Sequence, residues 1–115
     1  MTKQYSINQY QEMVHGWIQS VGSDYFPPTT NVCMLAEEVG EVSRLVSRAY
    51  GQQRFKPGEE PDDIESAIAD ELADVLFIVT CIANDLNINL DNAIDKNFTK
   101  KNQRDKNRYV DSAAA

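Results

Sequence analysis

Two acidic pairs are the residues of this sequence whose types and spacing are best suited to chemistry. Glu38 and Glu41 form the first pair, and Glu71 and Asp74 form the second, each within a stretch of apolar residues at helical spacing. Because a helix turns by about 100° per residue, carboxylates three positions apart project from one face. On a helical wheel three of the four acids fall on the apolar side, and Glu41 falls at its edge. The pattern therefore predicts carboxylates that point toward the protein interior.

Carboxylates in a protein interior need compensation, because an unpaired buried charge is very costly. Two explanations are open. Either Arg44, Arg48 or backbone donors neutralise the acids, or both helices turn their acids toward one shared metal site. Four carboxylates without a histidine or cysteine ligand suit a hard cation, Mg²⁺ or Mn²⁺, better than zinc or copper.

Length and charge restrict the classes of protein that fit. A chain of 115 residues predicts one domain with a single core, which would gain stability from oligomerisation. The net charge of −7 argues against general binding to nucleic acid or to a membrane surface. Eleven of the eighteen acids lie within 37–74, and six of the eleven basic residues lie within 96–108. An acidic middle and a basic end would suit a phosphate ligand bridged by metal.

The two cysteines and the longest apolar run indicate a cytoplasmic location. Cys33 and Cys81 occupy apolar helical positions without metal-binding spacing, which is typical of small core residues in a reduced protein. No signal peptide is visible. The run 72–83 is too short to span a bilayer and contains Asp74, so we expect a buried core helix.

Four helices are expected to position the acidic pairs, and no strand alternation is found. We expect an all-α bundle of four to five helices, with a single domain over 1–112 and a frayed end at 113–115. Helix one begins with a capping box formed by Ser6 and Gln9. The first predicted helix covers about 7–21. The second begins at a cap formed by Thr29, Thr30 or Asn31 and ends near Gly51. The third runs from Asp62 or Asp63 to about Asn84, and the fourth from Leu90 to about Lys101.

The two acidic pairs resemble the signature of the MazG-type family of all-α nucleotide pyrophosphohydrolases. That family is marked by E-x-x-E followed, after a loop and part of a helix, by E-x-x-D. Here the pairs stand in the settings Leu-Ala-Glu-Glu-Val-Gly-Glu-Val and Asp-Glu-Leu-Ala-Asp-Val-Leu. The likeness extends over most of the chain, from the helix of Trp17 through Tyr-Phe-Pro-Pro to the Lys/Asn/Arg-rich end.

The resemblance implies an enzyme that cleaves nucleoside triphosphates, ribo or deoxy, between the α and β phosphates. The products would be the monophosphate and pyrophosphate. It implies that Glu38, Glu41, Glu71 and Asp74 are catalytic and bind Mg²⁺, with Mn²⁺ as a substitute. It also implies a helical bundle that forms a homodimer or homotetramer, with its sites at or near the subunit contacts.

Further substrate contacts are expected from basic and aromatic residues. The candidates for phosphate are Arg54 and Lys56 in the loop 51–61, and Lys96, Lys100 and Arg104 near the end of the chain. Trp17 is either a core residue or a surface on which a base stacks. Phe26, in the loop before helix two, is either a hydrophobic plug or one wall of a nucleobase pocket.

Three alternatives to this function are open. A phosphoribosyl-ATP pyrophosphohydrolase resembles the family in fold and chemistry. A non-enzymatic binding module could instead dock a partner on its acidic helical surface. A di-iron carboxylate bundle is suggested by Glu12-x-x-His15, but such bundles need two of these motifs per site and the chain has one histidine.

Overall fold

The structure is a computed structural model that describes residues 2–114, apart from the side chains of 107 and 109–114. Within this part of the chain it contains helices and no strand, which confirms the all-α prediction. The four helices are α1 (Ile7–Ser20), α2 (Pro28–Tyr50), α3 (Ile64–Asp85) and α4 (Leu90–Ala114).

The first and third helices begin where the sequence predicts. Ser6 Oγ accepts a hydrogen bond from Gln9 N at 3.1 Å, and Ser6 N donates to Gln9 Oε1 at 2.7 Å, which completes the capping box. At the start of α3 the side chain of Asp63 accepts from Ser66 N at 3.1 Å. Both starts use side chains three residues away, so they could be predicted from local sequence.

The start of α2 differs from the prediction. Its N-cap is Pro27 and its first residue is Pro28, so the predicted cap at Thr29, Thr30 or Asn31 is wrong. Proline suits the first helical position, because its φ is preset and the N–H it lacks would have no partner there. The consequence is that Asn31 lies inside the first turn, where its side chain is buried.

The last helix is longer than predicted. It continues past Lys101 to Ala114, so that 113 and 114 of the expected frayed end are helical, and Ala115 lies outside the described residues. Lysine, arginine and glutamine favour helix even without an apolar stripe. Arg104 also pairs with Asp105 at 2.9 Å.

The core lies where α3 packs against α2 and α1. The most extensive contact joins α2 to α3, α1 packs on α3, and α4 makes its principal contact with α1. None of the helices in residues 2–114 combines the length and apolarity needed to cross a membrane. The buried apolar side chains are Val14, Leu45, Ile78, Cys81 and Ala83.

Two residues expected in the core lie at the surface. Trp17 is 54% exposed and touches Phe77 edge-on, with ring centroids 5.7 Å apart. Cys33 is exposed as well, whereas Cys81 is buried as predicted. With few helices in the bundle, α1 packs on α3 along one side only, which leaves the far side of Trp17 open to solvent.

A polar network centred on Asn84 joins α3 to α1 and to the loop between α1 and α2. Asn84 Nδ2 donates to Gln11 O at 2.9 Å and to Tyr25 Oη at 3.1 Å, and Asn84 Oδ1 accepts from Gln11 Nε2 at 3.0 Å. The Tyr25 hydroxyl also bonds His15 Nδ1 at 2.7 Å. These bonds connect segments that are far apart in sequence.

We expect Asn84→Ala to lower the free energy of unfolding by about 2 kcal/mol, because it removes the hydrogen bonds that join Asn84 to Gln11 and Tyr25. Urea denaturation measures this change. The matched control is Asn97→Ala on the exposed face of α4, for which we expect a change within about 0.5 kcal/mol. Equal effects for the two variants would contradict the structural role of the network.

Candidate functional site

Helices α2 and α3 bring three of the four predicted acids together. One carboxylate oxygen each from Glu38, Glu71 and Asp74 lies within 4.8 Å of the other two. Glu38 and Glu71 are half-buried, and Asp74 is exposed. We call these three residues the acidic cluster. The cluster combines both halves of the signature, which lie more than thirty positions apart in sequence.

The acidic cluster is electrostatically strained when no cation is bound. Glu71 Oε2 is buried and has no hydrogen-bond partner among the described residues. The pKa of Glu71 is raised to about 7, chiefly because its protonated form can donate to Glu38, then by burial and by the charges of Glu38, Asp74 and Glu41. Burial and the charge of Glu38 also raise the pKa of Asp74. A divalent cation would relieve this repulsion and give the Glu71 oxygen a partner.

Glu41 lies at the edge of the acidic cluster. It is exposed and accepts from Arg44 Nη2 at 3.1 Å, so here an arginine does neutralise an acid. It lies one turn after Glu38 on α2, and its charge contributes to the raised pKa of Glu71. An exposed ion pair contributes at most about 1 kcal/mol, so little free energy opposes a turn of Glu41 toward the other acids.

Arg48 is a cationic residue near the acids that is absent from the phosphate-binding candidates predicted from the sequence. Its Nη1 is buried and has no hydrogen-bond partner in the described part of the chain, and no ion pair among the described residues joins Arg48 to an acid. Arg48 follows Glu41 by seven residues, or two helical turns, and therefore lies on nearly the same side of α2. That spacing is the signal that could have identified it.

The structure does not pair the predicted phosphate-binding residues with the acidic cluster. Lys96, Lys100 and Arg104 lie exposed on α4, whose principal contact is with α1. Arg54 and Lys56 are exposed in the connection between α2 and α3. No ion pair of the described residues links any of the five to Glu38, Glu71 or Asp74.

An apolar cavity of about 250 Å³ lies beside the acidic cluster, and both aromatic candidates line it. Trp17 contributes from α1 and Phe26 from the loop before α2. Met34 lines it one turn before Glu38 on α2, and Phe77 lines it about one turn after Asp74 on α3. We call this space the aromatic cavity. The lining residues are separated from the acids by roughly 6 Å along α2 and roughly 4.5 Å along α3.

A larger and more open groove of about 590 Å³ lies between α1 and the turn after α3. Its walls include Gln11, His15 and Asn84, whose side chains are already used in the network that holds the helices together. The polar side chains of the groove therefore have a structural role. The acidic cluster, together with the aromatic cavity, is the better candidate for a catalytic site.

Known proteins resemble this chain over most of its length. The family model of the MazG nucleotide pyrophosphohydrolase domain matches residues 26–109. Protein YpjD of Bacillus subtilis (strain 168) is 36% identical over 105 residues, which are 91% of each chain. The crystal structure of YpjD from Bacillus subtilis superposes with a TM-score of 0.75 and 32% identity, and covers 90% of this chain and 100% of that one.

A second solved structure is that of the Bacillus-conserved MazG protein, a nucleotide pyrophosphohydrolase. It has a TM-score of 0.73 and 33% identity, and covers 92% of this chain and 99% of that one. The family match spans α2, the acidic cluster and α3, which are the elements that build the candidate site. The chain therefore belongs to the MazG nucleotide pyrophosphohydrolase domain family and is a hydrolase.

Proposed function

We propose that this hydrolase cleaves nucleoside triphosphates between the α and β phosphates, and that it requires Mg²⁺, for which Mn²⁺ can substitute. The observation that carries the proposal is the meeting of Glu38, Glu71 and Asp74 within 4.8 Å, with one buried Glu71 oxygen left without a partner. Three carboxylates supply oxygen ligands, which suit a hard divalent cation that also binds phosphate.

In this proposal Glu38, Glu71 and Asp74 hold the cation, and Glu41 completes the set after leaving Arg44. When bound there, such an ion would neutralise charge on the phosphate oxygens and make water a better nucleophile. Glu41 is exposed and is held by one ion pair, so it is also our choice to accept the proton of the attacking water.

The remaining parts of the substrate are assigned by position along α2. The base enters the aromatic cavity between Trp17 and Phe26, before the acids on this helix. Arg48 follows the acids by two turns and has an unused guanidinium nitrogen, so it would hold the departing pyrophosphate. Base, cleaved bond and leaving group would then follow one another along one side of α2.

A substrate panel tests the proposed reaction. Canonical and modified ribo- and deoxynucleoside triphosphates, together with phosphoribosyl-ATP, are incubated with Mg²⁺ or Mn²⁺, and monophosphate and pyrophosphate are quantified. We expect pyrophosphate release that stops when the metal is chelated. Release of orthophosphate, or no turnover of any nucleotide, would contradict the proposal, and turnover of phosphoribosyl-ATP alone would favour the related reaction.

We also propose that the chain forms a homodimer or homotetramer. Val32, Val39 and Val46 recur every seven residues on α2 and are all at least 40% exposed, on the side of the helix away from Glu41. Leu72 and Leu76 on α3 are exposed as well. An apolar stripe of this kind is typical of a surface covered by another subunit.

We expect Val46→Glu to raise the dissociation constant of the oligomer at least about tenfold, because a charge would be buried at the contact. Light scattering after size-exclusion chromatography measures the mass over a dilution series. The control is Gln53→Glu, which adds the same charge in the exposed connection after α2 and should leave the mass unchanged. A wild-type chain that is monomeric at high concentration would refute the oligomer.

A further inference from the structure

Asn31 is a buried polar residue of the aromatic cavity whose side-chain amide does not use all of its hydrogen-bonding atoms. The residue is 3% exposed and lines the cavity at the start of α2. Its Nδ2 donates to Phe26 O at a long 3.3 Å, and its Oδ1 accepts no hydrogen bond from the described part of the chain. A buried amide in an apolar wall is unfavourable unless its donors and acceptor find partners.

Two other polar residues at the wall, Ser23 and Asp24, are exposed to solvent and make hydrogen bonds within the loop. Asp24 Oδ1 accepts from Tyr25 N at 2.9 Å, and Ser23 Oγ donates to Asp24 O at 3.4 Å. Asn31 therefore offers the cavity an unused acceptor beside a second amide hydrogen. These two atoms form a short polar edge beside apolar side chains of the wall such as Trp17 and Met34.

The position of the cavity determines which part of a nucleotide reaches this edge. Met34 precedes Glu38 by four residues, and Asn31 precedes it by seven, so Asn31 lies roughly 10 Å from Glu38 along the axis of α2. That distance separates a base from its phosphates, with the sugar between them. A planar ring between Trp17 and Phe26 would present its hydrogen-bonding edge to the Asn31 amide.

We propose that Asn31 determines base specificity by pairing its amide with a donor and an acceptor on the edge of the nucleobase; this inference rests on the proposed function. Asparagine makes such paired contacts with adenine, and each pair contributes enough free energy to discriminate between bases. A polar group that is buried and bonded only by the correct ligand is an effective source of specificity, because the wrong ligand leaves it unpaired.

Asn31→Asp tests this role because it keeps the size of the side chain and removes its donor. The values of kcat/KM are measured for dATP, dCTP, dGTP and dTTP with Mg²⁺. An acceptor-only side chain favours amino groups, so we expect the ratio of dCTP to dTTP to rise about tenfold. Asn97→Asp adds the same charge on exposed α4 and should leave every ratio unchanged.

Asn31→Leu provides a second variant of similar shape with neither donor nor acceptor. We expect it to lower kcat/KM for the preferred base at least about tenfold and to bring the four values closer together. Inhibition by inorganic tripolyphosphate, which has no base, should not change in either variant. A purely structural Asn31 would instead lower all four values equally and weaken this inhibition.

The outcomes separate this inference from the proposed function. Pyrophosphate release by the wild-type chain, with unchanged base ratios in both Asn31 variants, would overturn the role of Asn31 alone. Absence of pyrophosphate release from every nucleotide in the wild type would overturn the proposed function.

Discussion

The Asp74→Asn variant is expected to lose at least about a thousandfold in kcat/KM for nucleotide hydrolysis while keeping its helical content. The substitution removes one charged ligand from the acidic cluster, where Asp74 lies within 4.8 Å of Glu38 and Glu71. A bound cation contributes several kcal/mol of transition-state stabilisation, and about 4 kcal/mol corresponds to a thousandfold in rate. Pyrophosphate release and circular dichroism measure the two effects. We expect the same result for Glu38→Gln.

Asp70→Asn is the matched control, because Asp70 is an exposed acid one turn before Asp74 on the same helix. Its carboxylate lies outside the acidic cluster and affects it only through its charge on Asp74. We expect activity within about threefold of the wild type, since the charge of an exposed side chain is screened by water and salt. Full activity in both Asp74→Asn and Glu38→Gln would refute the proposed metal site.

The second large effect is on stability and depends on pH and metal. Without a divalent cation the melting temperature should fall by several degrees between pH 5 and pH 8. The pKa of Glu71 is about 7 in the folded chain and 4.5 as its ordinary value. Between these values the folded chain holds a proton that the unfolded chain has released, so stability decreases as pH rises. The raised pKa of Asp74 acts in the same direction.

Magnesium should oppose this loss, because it binds the ionised carboxylates of the folded chain. At a free concentration one hundred times the dissociation constant, the stabilisation is about 2.7 kcal/mol and should be greatest above pH 7. Melting curves with EDTA or Mg²⁺ over the pH range measure both effects. The pKa values of Asp63 and Asp105 are lowered by hydrogen bonds from Ser66 and Arg104. Both therefore affect stability only near and below their ordinary value of 3.8.

The Glu71→Gln variant tests whether ionisation of Glu71, and not of some other group, causes the pH dependence of the melting temperature. Glutamine has nearly the same shape and no charge, so the metal-free variant should be more stable than the wild type at pH 8 and should lose most of its slope. It should also gain little from Mg²⁺. An unchanged slope in this variant would show that another group causes the dependence.

Local sequence was enough to predict much of the fold. The capping box of Ser6 and Gln9 and the cap at Asp63 involve partners three residues away, and both helix starts were correct. The predicted start of α2 is wrong because a helix tolerates proline at its first position, where the missing N–H has no partner to lose. Of the two interpretations of Trp17, the core position is wrong, because α1 packs on α3 along one side only, which no pattern within α1 reveals.

What the sequence by itself determined was the chemistry available: two acidic pairs at helical spacing, without histidine or cysteine partners, and so a preference for a hard cation. Neighbours three and four residues apart share a helix face whatever the rest of the chain does. Tertiary structure decided which of these groups meet. Glu38 meets Glu71 and Asp74, and Asn31 lines a cavity together with residues of α1 and α3. These contacts depend on how α2 packs on α3 and on the loop between α1 and α2. They join segments that are far apart in sequence, and burial of the whole core brings these segments together.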